Sequence, residues 1–281
     1  MSPRSGAAYG LGMTTLPVHD ISGPEATATI HDQGAHLLTW APQGQAPVLW
    51  ASPQVRLEEG KGIRGGVPIC FPWFGPGRTG DRTPTHGPAR TTPWRSTTIE
   101  PGHATYAITG AELGVQDLEA TYDVRAGARL ELTFTVRNTG AQELTYEEAL
   151  HAYLTVGDAR EITVEGLAGA TYVDKTDQGR SHRQDGELRL TRETDRVFRS
   201  AGPVTVVDPV LGRRLRVTKT GSASTVVWNP WDELSASLGD MGPEAWRTMV
   251  CVEGGNAMAD EITLAPGDSH TLTYHLEVLP L

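Results

Sequence analysis

Strict alternation of apolar and polar side chains recurs along this chain. Residues 129–137, RLELTFTVR, put Leu130, Leu132, Phe134 and Val136 on one face and charged or hydroxyl residues on the other. A period of two over this length predicts a half-buried antiparallel strand. The C-terminus repeats the pattern. After the turn Ala265-Pro266-Gly267-Asp268, the residues Leu272, Tyr274, Leu276 and Val278 alternate with Thr271, Thr273, His275 and Glu277. Further strands are expected over 26–31, 35–40, 104–110, 118–124, 144–156, 161–165, 203–208, 214–218, 224–228 and 248–253. Turn signals such as Arg125-Ala126-Gly127 and Asn138-Thr139-Gly140 separate several of them. One short helix is expected, over 234–246. The pattern predicts an all-β fold, a large antiparallel β-sandwich. No flexible linker or internal repeat interrupts the series, so residues 1–281 read as a single β-sandwich domain with a loosely ordered N-terminus over 1–15.

Composition agrees with this reading and narrows the partners. The 281 residues include 32 glycines and 19 prolines, a turn-rich content that suits many short strands. Lys plus Arg number 24 against 34 Asp plus Glu, for a net charge of −10. Such a balance argues against nucleic-acid binding, which needs a basic face. An anionic small molecule stays compatible, because arginines can dominate a cleft whatever the net charge. No apolar run is long enough to cross a bilayer, and the first residues lack the apolar core of a secretory signal. A cytoplasmic monomer is the expectation, with Cys70 and Cys251 reduced and acting as small hydrophobes.

Polar chemistry concentrates in a few unusual segments. Gly62–Gly75 reads GIRGGVPICFPWFG and is followed by His86-Gly87-Pro88-Ala89-Arg90. Glycine and proline this dense exclude a regular element. Two readings stand: an irregular segment that turns backbone and Arg64 towards a cleft, or a packed structural loop. In EEALHAYL, alternation puts Ala149, His151 and Tyr153 on one face, so His151 projects from mid-strand. A lone histidine there is more often a hydrogen-bonded sheet residue than a catalyst. In MVCVEGGN an apolar run ends in Glu253 before two glycines. A carboxylate at such a strand end is either desolvated or held by donors, as general bases are, or it is a surface Glu. Trp228-Asn229-Pro230-Trp231 offers aromatic faces suited to a sugar or simply to a core.

Other chemistries fit poorly. The histidines show no metal-ligand spacing, so no metal is expected. A nucleotide phosphate loop and a Gly-x-Ser-x-Gly elbow are both absent. A histidine, a carboxylate, aromatics and arginines remain, which suffice for proton transfer on a sugar without a cofactor.

Taken together the motifs resemble the aldose 1-epimerase superfamily, and within it the D-hexose-6-phosphate 1-epimerase branch. The segments are IRGGVPICFPWFG (63–75), HGPAR (86–90), EEALHAYLTVGD (147–158), ETDRVF (193–198), WNPW (228–231), DMGPEAWRTMVCVEGGN (240–256) and LAPGDSHTL (264–272), in family order. The resemblance implies a galactose mutarotase-like β-supersandwich and cofactor-free interconversion of the α and β anomers of a hexose phosphate such as glucose 6-phosphate. It implies that His151 protonates the ring oxygen and Glu253 takes the anomeric hydroxyl proton. It further implies that His86 and Asp195 hold sugar hydroxyls, and that Arg64 and Arg90 favour a phosphorylated substrate. Trp228 is expected to flank the sugar. Two positions depart from the family pattern. Pro88 stands where an aromatic is usual and restricts the path from His86 to Arg90, and Gly254 stands where proline is frequent and is expected to loosen the chain after the base.

Three alternatives stay open at this point: a sugar-binding or regulatory module on the same fold, an epimerase of free hexoses, and a glycan lyase or hydrolase. The last would need a second carboxylate opposite Glu253, for which Glu147, Glu148 and Asp195 are the candidates.

Overall fold

The computed structural model describes residues 16–281, so the expected loose segment 1–15 lies outside the described residues. Two large antiparallel sheets organise the chain. The first, the site sheet, runs in the order Arg180–Arg183, Thr171–Asp174, Thr194–Arg199, Ser224–Asn229, Met249–Asn256, Glu148–Leu150 and Ile69–Cys70, with Tyr153–Thr155 also paired to Met249–Asn256. The second, the back sheet, runs Thr163–Glu165, Val204–Asp208, Arg213–Thr220, Ser269–Pro280, Leu130–Asn138, Leu118–Ala126, His103–Thr109 and Arg95–Glu100. A three-stranded sheet (Val18–Asp20, Ala26–His31, His36–Pro42) and a two-stranded one (Leu144–Tyr146 with Ile262–Leu264) complete the pairings.

The main core fills the space between the sheets. Leu130, Leu132, Phe134 and Val136, the apolar face of the 129–137 alternation, are all fully buried there with Leu272, Tyr274 and Leu276. Val250 and Val252 reach into the same core from the site sheet. The hydroxyl of Tyr274 donates to the Val252 carbonyl at 2.9 Å, so a polar group crosses between the layers without being left unpaired.

Met249–Asn256 is buried on both faces, which is why it lacks alternation. Val250 and Val252 face the core, while Met249, Cys251 and Glu253 face the other way. The expected end of this strand at residue 253 is incorrect: the ladder continues through Gly254 and Gly255 to Asn256. The glycines serve close packing. A Cβ on Gly255 would come within 2.4 Å of the Glu148 carbonyl oxygen, and one on Gly254 within 2.8 Å of Lys219 Cδ. Gly254 therefore sits in the ladder, paired with Leu150 and Thr225, and does not loosen the chain.

Other boundaries also shift. The expected strand 144–156 is three pieces broken at Glu147 and at His151-Ala152. The helix lies earlier than expected, at Trp231–Ser237. The Asn229 side chain accepts from the Trp231 amide at 2.9 Å, and Asp232 and Glu233 complement the dipole of its first turn. Gly239 and Gly242-Pro243 prevent its continuation, leaving only a 3-10 turn at Ala245–Thr248. Strands at Ile69–Cys70, Arg95–Glu100, Thr171–Asp174, Arg180–Arg183 and Thr194–Arg199 carry no clear alternation and escape a pattern-based reading.

Candidate active site

The outward face of the site sheet forms the floor of a cleft of about 370 Å³. Strand register decides what stands on it. Leu150 pairs with Gly254 and Tyr153 with Cys251, so the ladder sets His151 directly opposite Glu253. Glu253 in turn pairs with Val226, and Val226 with Val197. The adjacent row reads Asp195, Trp228, Cys251, Tyr153 across four strands. Residues in neighbouring rows two apart share a face. His151, Tyr153, Asp195, Trp228 and Glu253 therefore line one cleft although they come from four separate segments.

His151 and Glu253 form its chemical centre. Nε2 of His151 lies 3.3 Å from Oε1 of Glu253, and the residues are 8% and 1% exposed. Neither Glu253 oxygen has a well-formed hydrogen bond among the described residues. Burial, reinforced by the like charge of Asp195, pushes the Glu253 carboxyl well above its ordinary range. Burial, with the positive charges of Arg90 and Arg64 adding to it, pushes His151 down. Each group is thus driven towards its neutral form. Tyr153 fixes the imidazole plane, stacked on His151 with centroids 4.8 Å apart, and Trp228 meets the ring edge-on at 6.1 Å.

The walls come from loops. Arg64 enters on the segment 62–66, where Gly65 and Gly66 have φ of 120° and 60°. A Cβ on Gly66 would lie 2.2 Å from the Leu37 carbonyl oxygen, so only glycine permits this path. The guanidinium donates to the Tyr153 hydroxyl at 3.1 Å and to Asp240 at 3.2 Å. His86 adopts a left-handed φ of 66°, and its Nδ1 accepts from the Gly75 amide at 3.1 Å. Burial first, then Arg90, Lys175 and Arg64, lower its pKa to about 3. The neutral ring with Nδ1 accepting must carry its proton on Nε2, a fixed donor. Arg90 donates to the Thr85 carbonyl at 2.9 Å while its buried Nε has no partner among the described residues. Lys175 pairs with Asp195 at 2.9 Å and lies 5.3 Å from the Phe74 ring centre. Leu234 and Leu238 close the remaining side.

This arrangement can hold a small polyhydroxylated molecule over an acid–base pair, with cations at the rim. A comparison with known proteins agrees. The model of the family described as "Aldose 1-epimerase" matches residues 17–277. The chain belongs to this family. Among relatives of the epimerase, one from Escherichia coli (strain K12) named "Putative glucose-6-phosphate 1-epimerase" is 34% identical over 242 residues, covering 83% of this chain and 81% of that protein. A Salmonella typhimurium relative of the same name is 34% identical over 250 residues, covering 86% of this chain and 83% of its own length. The crystal structure titled "a putative mutarotase (YeaD)" from Salmonella typhimurium superposes with a TM-score of 0.85 at 29% identity, covering 95% of this chain and 91% of that one. The all-β galactose mutarotase-like sandwich expected from the motifs is the fold of this epimerase.

All seven expected site residues, Arg64, His86, Arg90, His151, Asp195, Trp228 and Glu253, line the same cleft of the epimerase. Pro88 does not displace Arg90. Its φ of −78° suits proline and opens the 3-10 turn Ala89–Thr91 that carries the arginine. Glu147 and Glu148 lie elsewhere: Glu147 accepts from the Phe74 and Met258 amides, and Glu148 accepts from Asn256. Trp231 packs on Trp246 with centroids 4.3 Å apart, so only the first tryptophan of WNPW reaches the cleft. Lys175, at the end of an unpredicted strand, was missed by pattern reasoning; its one signal is the register that sets it beside Asp195.

Proposed function

We propose that this epimerase interconverts the α and β anomers of a hexose 6-phosphate, with His151 and Glu253 as its acid–base pair. The carrying observation is that pair: face to face, buried, without other side-chain hydrogen bonds among the described residues, and open to a cleft walled by Arg64, Arg90 and Lys175. Anomerisation opens a hemiacetal and closes it again, so it needs one proton taken from the anomeric hydroxyl and one given to the ring oxygen. Sugar hydroxyls entering the cleft supply the donors that Glu253 lacks and favour its carboxylate. In this scheme the proton that Glu253 gives up passes to His151. Glu253 takes the hydroxyl proton while His151 protonates the ring oxygen; the ring opens, the aldehyde rotates, and the steps run back. Both groups are restored at the end of each turnover, so the cycle closes without a cofactor. Each positioned group contributes on the order of 10²–10⁴ in rate.

His86 Nε2–H and the Asp195 carboxylate suit sugar hydroxyls, and Trp228 offers an apolar face to the ring. Arg90 and Lys175 are the cations with capacity left for a phosphate, whose remote binding energy can be used to hold the reacting carbon in register. A binding-only module would not need an acid and a base left unpartnered in apposition. A hydrolase would need a second carboxylate free to act across the bond; Glu147 and Glu148 are committed to other partners, and Asp195, though in the cleft, is paired with Lys175. We infer a cytoplasmic setting, where hexose phosphates are made and where Cys70 and Cys251 remain thiols; no helix among the described residues is long and apolar enough to cross a membrane. The test is anomer exchange followed by NMR with glucose 6-phosphate and with free glucose. Faster exchange of the phosphorylated sugar is expected, and equal efficiency on both would overturn the phosphate assignment.

A further inference from the structure

Beside the acid–base pair lies a third group, fully buried, that the acid–base chemistry does not use. Cys251 is two residues from Glu253 on the same strand and sits opposite Tyr153, so its thiol shares the face of His151 and Glu253. A His nitrogen, the Cys251 sulfur and a Glu253 oxygen all lie within 4.8 Å of one another. We propose that His151, Cys251 and Glu253 form a binding site for a thiophilic divalent cation such as Zn²⁺, whose occupancy shuts off catalysis.

Three features support the assignment. The donor set, imidazole, thiolate and carboxylate, is one that Zn²⁺ takes in three-ligand sites with an open fourth position. The geometry is close to what the ion needs. With Zn–N and Zn–O of about 2.0–2.1 Å, a tetrahedral N···O edge is about 3.3–3.4 Å. The His151 Nε2 to Glu253 Oε1 separation is 3.3 Å. With Zn–S of about 2.3 Å, the edges to sulfur are about 3.5 Å, so within a group that spans up to 4.8 Å the side chains must close by as much as about 1.3 Å to reach them. Finally, both Glu253 oxygens are buried without a hydrogen bond among the described residues, and the residue is only 1% exposed. Such atoms are poised to accept either substrate protons or a cation.

Arg64, Arg90 and Lys175 line the same cleft and would repel a bare cation. Two anionic ligands offset the ion's two charges, so the bound complex adds no net charge to the cleft. Zn²⁺ thus occupies both reacting groups at once and competes with the sugar. Sequence spacing gives no sign of this site, because one ligand lies about a hundred residues before the other two and only strand pairing brings them together.

The test uses the purified full chain after chelator treatment, titrated with Co²⁺ and with Zn²⁺. One equivalent of Co²⁺ is expected to give tetrahedral visible bands and a near-ultraviolet thiolate charge-transfer band, and Zn²⁺ to displace it. Zn²⁺ is expected to slow anomer exchange in the parent, with recovery on adding chelator. Cys251→Ser should keep parental exchange, lose the charge-transfer band, and bind Zn²⁺ at least ~100-fold more weakly. Glu253→Gln provides a second variant should the serine protein fold poorly, and it should weaken Zn²⁺ to a similar degree. Absence of the charge-transfer band in the parent would overturn the proposal, as would parental Zn²⁺ affinity in either folded variant. The optical and binding readouts do not depend on epimerase activity, so failure of the hexose-phosphate reading would leave this test intact.

Discussion

The two wall arginines should differ in what their removal does. Arg64 is already committed, bonded to the Tyr153 hydroxyl at 3.1 Å and to Asp240 at 3.2 Å. Arg90 is not: one terminal nitrogen holds the Thr85 carbonyl, and its Nε has no partner among the described residues. Replacing Arg90 with Ala removes a charge-assisted contact to phosphate of about 1.5–3 kcal/mol, equivalent to about 10–150-fold in kcat/KM for glucose 6-phosphate. Free glucose makes no such contact, and its exchange should change less than about threefold. Arg90→Lys should recover part of the loss, since it restores the charge but not the fork. Arg64→Ala should instead lower kcat for both sugars by about tenfold or more. Tyr153 would lose its anchor, and with it the stacked support 4.8 Å from the His151 ring. The assay is two-dimensional exchange NMR on each anomer pair, with thermal unfolding to confirm an intact fold. Equal losses on both sugars in Arg90→Ala would refute the argument, as would a purely phosphate-specific loss in Arg64→Ala.

His151→Ala and Glu253→Gln should each reduce kcat by at least ~10²-fold, read by the same exchange experiment, with parental exchange in either variant removing that residue from the mechanism. Glu253→Gln should at the same time raise the urea midpoint, because it replaces an ionisable group buried without a hydrogen bond among the described residues by a neutral isostere. Lys219 is buried with only carbonyl and hydroxyl partners, and burial lowers its pKa to about 7. The unfolded chain therefore holds a proton that the folded chain lacks above pH 7, so stability rises with pH there; between pH 7 and 8.5 the parent should gain about 1.5 kcal/mol relative to Lys219→Met in urea titrations, and parallel profiles would contradict this. Gly255→Ala should cost about 1–3 kcal/mol, since its Cβ would meet the Glu148 carbonyl oxygen at 2.4 Å; an unchanged midpoint would show that the strands can part freely there.

Legibility followed the physics of burial. Strands with one wet face, such as Leu130–Asn138 and Ser269–Pro280, announce themselves by alternation. Met249–Asn256 does not, because core and cleft both cover it, and its glycines read as a terminator when they are close-packing residues. Thr194–Arg199 has charged residues beside apolar ones because Asp195 faces the cleft and Arg196 reaches Asp174, which erases the period. The site residues were legible through motifs, but their mutual geometry was not. His151 and Glu253 are far apart in sequence and meet only through register, and Lys175 and Tyr153 acquire roles only from the neighbours that register supplies. The commitment of Arg64 to Tyr153 and Asp240 likewise depends on a loop path that no local pattern encodes.

Division of labour between floor and walls explains why this pair can serve a reaction with two nearly equivalent ends. Opening of either anomer takes a proton from the anomeric hydroxyl and gives one to the ring oxygen, and closure returns both, so one acid–base pair serves both directions. In water a carboxyl and an imidazole differ by about two units of proton affinity. Burial raises Glu253 and lowers His151, which works against the advantage the imidazole has in water. That requires both groups to stay dry, close and otherwise unpaired, an arrangement a mobile loop could not maintain. Here Glu253 lies within a ladder and His151 is held between the paired residues Leu150 and Tyr153, with Val250 and Val252 anchoring the strand of Glu253 in the core. The loops carrying His86 and Arg90 can then vary in what they recognise without disturbing the proton pair, and substrate choice becomes separable from chemistry.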